Sequence, residues 1–187
     1  MPYYGTKRKV FISFHQKDRR EVDDFIDRWA VREGLFIPKA LGVSDNDDLI
    51  DSGNPDYVMS QIRSRYLGDS TVTIVLAGTC THSRRYVDWE LKASLRQGEN
   101  YIPNGVMGII LPSHGNSALL PPRLEENWTS GHRDCYARYW VAPTTPEQLD
   151  GWIEDAYSAR TQRAHLIQNG SLMMKYNRRC QACGVTH

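Results

Sequence analysis

The segment Thr71–Ala77 (TVTIVLA), aliphatic or β-branched at every position, constrains the fold more than any other part of the chain. A strand apolar on both faces must be covered on both faces, the condition of a central strand in a parallel sheet. Two further runs share that character, Lys9–Phe14 (KVFISF) and Gly105–Leu111 (GVMGIIL). Between these runs the period changes to that of a helix. Glu21 to Arg32 carries Val22, Phe25, Ile26, Trp29 and Ala30 on one stripe and is closed by Gly34. Asp56 to Leu67 repeats the pattern with Val58, Met59, Ile62 and Tyr66, and Arg84 to Gln97 forms a third helix that Gly98 stops. A weaker strand, interrupted by Pro38 and Gly42, fits Leu35–Val43. The order β-α-β-α-β-α-β calls for an α/β fold: an open, mostly parallel, flavodoxin-like sheet with helices on both faces.

Pro112 to Thr145 is rich in Gly, Pro, Ser and Asn, and reads as a long irregular insertion with a fifth strand at Tyr136–Val141. Pro146-Glu147 opens another helix, with proline in its first turn. The reading is therefore a sheet domain over residues 1–165, with the insertion at 112–145, and a polar, frayed tail over 166–187. Lys plus Arg number 23 against 22 Asp plus Glu, a balance that argues against a protein built to neutralise nucleic-acid phosphates. No apolar run approaches the roughly 20 residues that span a bilayer, and no apolar stretch follows the charged N-terminus as in a secretory signal. The expected location is the cytoplasm, with no membrane or nucleic-acid partner.

In an open α/β sheet, ligands bind outside the carboxyl ends of the strands, where the strand order reverses. For an order 2-1-3-4-5, that crevice is bordered by the loops 15–20 and 78–83. Neither is a glycine-rich phosphate loop, and the chain has no GxGxxG or GxxxxGK[ST]. A phosphate-receiver domain shares the topology, but strand one runs into His15 and strand three into Gly78-Thr79, which leaves no phosphorylatable aspartate there. On the helix after strand three, at about 100° per residue, Glu90 falls about 60° to one side of Val87, on the flank of the buried stripe Val87, Leu91, Ser94 and Leu95. That position puts a carboxylate at the edge of the core, with Tyr86 one turn before it. Taken by itself, the same spacing also fits a solvated glutamate paired with neighbouring cations. Cys180-x-x-Cys183 is half of a zinc motif, to which His187 would add a third ligand; a complete site needs four, so no metal is expected. Cys80 has no relay that would make it a nucleophile.

KVFISFHQKD at 9–18 and DSTVTIVLAGTCTHSRRYVDWELKASLRQG at 69–98 resemble the TIR-like domains of bacterial defence proteins, those of the Thoeris antiphage system among them. The resemblance spans about residues 8–111. It implies a flavodoxin-type fold and cleavage of the nicotinamide–ribose bond of NAD, which is then substrate and not cofactor. It further implies a cyclic ADP-ribose-type product sensed by a separate nucleotide-binding effector. The family's catalytic glutamate and the aromatic residue four positions before it are matched by Glu90 and Tyr86. Further substrate contacts are expected from Phe14 and His15 at the end of strand one, from Ser83 and Arg84 before the helix, and from Asp45. The loop 44–55 holds the place that TIR domains use for self-association and for gating. Each has a plainer reading: Phe14 as core, His15 as surface, Ser83 as helix N-cap, Asp45 as part of a solvated acidic loop. Two functions remain in view, an NAD-consuming enzyme and a non-enzymatic adaptor working through homotypic contacts; bound flavin would mark a third, an electron carrier.

Overall fold

The computed structural model describes residues 6–41, 54–99, 101–114 and 119–186. Five strands form one sheet in the order β2-β1-β3-β4-β5, and every neighbouring pair is parallel. They are β1 (Arg8–Phe14), β2 (Phe36–Leu41), β3 (Val72–Ala77), β4 (Gly105–Ile110) and β5 (Arg138–Val141). β3 and β4 are buried at every position, as apolar runs without alternation require. Pro38, which lacks an N–H, is tolerated because β2 is an edge strand.

The side chains of β1 divide between two cores. Val10, Ile12 and Phe14 join α1 (Arg19–Ile26) and α5 (Pro146–Gln162) on one face, whereas Phe11 packs with α2 (Pro55–Ile62) and α3 (Arg85–Ser94) on the other. α1 and α2 each continue into a wider π-type turn, Asp27–Arg32 and Arg63–Leu67. Asn54 caps α2, its Oδ1 accepting from the amides of Asp56 and Tyr57. α5 lies so close on β4 that a Cβ at Gly105 would stand 1.8 Å from the carbonyl oxygen of Ala156.

Two sequence expectations change. Residues 112–145 hold a short helix, α4 (Pro122–Glu126), as well as β5, and Leu124 of α4 is fully buried. The segment after α5, expected to fray, is instead a strap (residues 168–186) laid along α3. Asn127 and Gln168 clamp its start, with Asn127 Nδ2 donating to the Gln168 carbonyl (2.7 Å) and the Gln168 amide donating to Asn127 Oδ1 (2.8 Å). Farther along, Met174 and Cys180 are buried.

Candidate functional site

The strand order puts the reversal between β1 and β3, so the crevice lies where the sequence order placed it. Asp18, from the loop after β1, reaches across to the loop after β3. The Thr81 hydroxyl donates to Asp18 Oδ2 (3.3 Å) and accepts from the Gly78 amide (2.9 Å). A Cβ at Gly78 would stand 2.2 Å from that carboxylate, so a larger residue there would have to displace the Asp18 side chain. Burial raises the pKa of Asp18 above the usual carboxylate value, against the opposing hydrogen bond from Thr81, and the nearby charge of Glu21 raises it further.

One residue from the end of β1, on the opposite face from Phe14, the Ser13 hydroxyl donates to Glu90 Oε2 at 2.5 Å. Glu90 is 1% exposed. It therefore does not sit on the rim of the core, as its angular position implied, but points at the sheet. The next residue on that helical stripe behaves alike, Ser94 Oγ lying 2.8 Å from Thr73 Oγ1 of β3. α3 is thus held to the sheet by polar ties at Glu90 and Ser94. The face of α3 turned away from the sheet is not solvated either, Asp88 and Trp89 being buried. Here the strap covers that face: Trp89 Nε1 donates to the Met174 carbonyl (2.8 Å), and the Met174 amide donates to Asp88 Oδ2 (2.8 Å).

The remaining expected residues divide. Tyr86 is buried one turn before Glu90, edge-on to Trp89 with ring centroids 5.5 Å apart. His15 is buried and follows Ser13 by two extended residues, so it belongs to the same side of β1 as Glu90. Phe14 takes its core reading and lies on the other face of the sheet from Glu90. Arg84 is buried immediately before α3. Ser83 does not cap the helix, because its hydroxyl donates to the Cys80 carbonyl (2.8 Å). The first helical amide, that of Arg85, is taken by Asn177 Oδ1 of the strap at 2.9 Å. Arg85 itself lies over the rings of Tyr86 and Trp89. Asp45 and nearly all of the loop 44–55 lie outside the described residues.

Cavities walled by described residues lie to either side of the crevice strands. One of about 280 Å³ lies between His82, Trp128, Tyr139 and the strap arginines Arg178 and Arg179; another, of about 200 Å³, lies between α1 and the end of β4. Glu90 lines neither. Burial and the charge of His114 hold His82 below the ordinary histidine range.

Residues 11–115, more than half of the chain, match the family of the Thoeris protein ThsB, TIR-like domain. The chain belongs to the ThsB TIR-like family. The match begins inside β1 and ends just past β4, so it takes in Ser13, the crevice loops and all of α3, and leaves out β5, α5 and the strap. No curated protein matches the chain significantly. Membership in this ThsB family carries a TIR-like defence role, and no helix among the described residues is long and apolar enough to cross a membrane.

Ser13 and Asp18 are crevice residues that sequence reasoning did not single out. A lone hydroxyl inside KVFISF was the available signal for Ser13; an unremarkable loop aspartate gave none for Asp18.

Proposed function

We propose that this ThsB-family chain cleaves the nicotinamide–ribose bond of NAD and closes the remaining ADP-ribose into a cyclic product, read by a nucleotide-sensing effector of the same defence system. The supporting observation is Glu90, a carboxylate held by Ser13 one residue from the carboxyl end of β1, beside the strand-order reversal. Breaking the bond builds positive charge on the ribose, as in glycoside hydrolysis. A fixed carboxylate in a dry site stabilises that charge and orients the sugar, while nicotinamide leaves without metal or strong base. In this reading a ribose hydroxyl takes over the place of the Ser13 hydroxyl. Tyr86, His15 and Arg84 shape the surroundings, and Ser83 and Asp45 remain substrate-contact proposals. Closure to a cyclic product needs water kept out. Self-association through the loop 44–55 belongs to the same proposal.

One observation favours the second reading, a non-enzymatic adaptor: Glu90 is covered, and its bond to Ser13 also serves as a structural tie. Incubation of the full chain with NAD, with chromatography for nicotinamide and mass analysis of the nucleotide product, separates the two. The expected result is cleavage that falls by about 100-fold or more in Glu90→Gln, which keeps the Ser13 contact and loses the charge. Cleavage that survives Glu90→Gln refutes the site, and a wild type that is inert alone and with its defence partners leaves the adaptor reading standing.

A further inference from the structure

Three of the four cysteines converge, although the sequence spreads them over a hundred positions. Cys80, in the turn after β3, meets Cys180 and Cys183 of the strap, and the three Sγ atoms all lie within 4.8 Å of one another. Cys80 and Cys183 Sγ are 3.5 Å apart. Sulfurs bound to one tetrahedral zinc at about 2.3 Å stand about 3.8 Å apart, whereas a disulfide needs about 2.05 Å.

The backbone of the strap is shaped to present two sulfurs to one point. In Cys180-Gln181-Ala182-Cys183-Gly184 the Gly184 amide donates to the Cys180 carbonyl (2.8 Å), and the Cys180 amide to the Val185 carbonyl (2.9 Å). Arg179 and Thr186 pair antiparallel across the base of the turn. Gly184 has φ +72°, a left-handed conformation that glycine allows. The Cys183 amide points at Cys180 Sγ at 3.5 Å, an N–H contact of the kind that a metal-bound thiolate accepts. As thiols, the three sulfurs crowd one another. A divalent cation reverses that balance, because a coordinating thiol gives up its proton outright.

We propose that Cys80, Cys180 and Cys183 bind a zinc ion as three thiolates, a structural site that pins the C-terminal strap to the turn preceding α3. Each thiol releases its proton to solvent on binding, and no electron is transferred. Zinc is favoured over an iron–sulfur cluster because the cluster would call for four cysteines, and Cys135 is buried apart from this group. The fourth position takes a nitrogen or oxygen donor or water. The site sits three residues from Asn177 and two from Arg178, whose amide donates to the Ser83 carbonyl (2.8 Å), so the metal would hold the cap on the helix that carries Glu90.

The test is metal content of the full chain purified under reducing, chelator-free conditions. About one zinc per chain is expected, falling below about a tenth in Cys183→Ser and retained in Cys135→Ser. Cys183 is exposed, so its serine variant keeps the core intact. Titration of the wild type with a mercurial needs no variant, and it should release the zinc in step with modification of these cysteines. Replacement by cobalt should add thiolate-to-metal charge-transfer absorption. Metal-free protein that fails to take up zinc at micromolar concentration overturns the proposal, as do bound iron or a disulfide among these three in protein alkylated at lysis. Metal content reads the same whether or not the chain cleaves NAD, so the two proposals fail independently.

Discussion

Arg123→Met tests how the strap is attached. Arg123 is 1% exposed, and its guanidinium serves four acceptors. Nε donates to Asp88 Oδ1 (2.8 Å), Nη1 to Asn169 Oδ1 (3.1 Å), and Nη2 to the carbonyls of Ser171 (3.2 Å) and Leu172 (3.3 Å). Methionine fills most of the volume and serves none of them. Asp88 then stays buried with its charge opposed by the Met174 amide and the more distant Lys92. Removing one partner of a buried pair costs about 3–5 kcal/mol. At about 2–4 °C per kcal/mol for a domain of this size, the melting temperature should fall by roughly 6–20 °C. Adding Asp88→Asn removes the stranded charge and keeps an acceptor for Met174, so the double variant should recover at least about 1 kcal/mol relative to additivity. Thermal melts by circular dichroism give the cycle, and hydrogen exchange should show the amides of 169–174 losing protection first. A melting temperature within about 2 °C of wild type, or strict additivity, would refute the view that this network holds the strap.

Two other predictions follow from the same geometry. Asn177→Ala removes the side chain that caps α3 from outside the helix and should cost about 1 kcal/mol in urea unfolding; an unchanged midpoint would mean that solvent caps α3 equally well. Burial raises the folded-state pKa of Asp18 above its ordinary 3.8, so its contribution to stability is full below that value and is lost as pH rises through the folded-state value. Asp18→Asn should therefore be more stable than wild type near neutral pH, with the gap closing as pH falls toward the ordinary carboxylate value. A less stable asparagine variant near neutral pH would contradict that sign.

What could be read from sequence was what depends on neighbours along the chain. β1, β3 and β4 announced themselves because runs such as VTIVLA need cover on both faces, and Gly34, which the structure places at positive φ, marked the end of the first helix. The strand order then fixed the crevice. α4 was lost because five residues after Pro121 carry too little periodicity to register. The cover on α3 was lost for a different reason. A helical wheel treats whatever is opposite the sheet as solvent, and nothing local says that Met174 will close over Trp89 or that Asn177 will replace Ser83 as the cap. Cys80 fell to the same limit, its partners lying a hundred residues downstream. Glu90 was singled out as a candidate by family resemblance, and its burial against Ser13 had no signature in spacing.

The strap also gives α3 a history during synthesis. Chains fold from the N-terminus as they emerge, and the strands and helices up to β4 are complete well before residues 168–186 exist. Until then Asp88 and the indole of Trp89 lack their strap partners, and the first amide of α3 is without the side chain that accepts from it. The helix bearing the candidate carboxylate is therefore finished by a segment made well after it. A polypeptide interrupted before the strap would carry every residue of the crevice and Glu90 itself, on a helix still missing its outer wall.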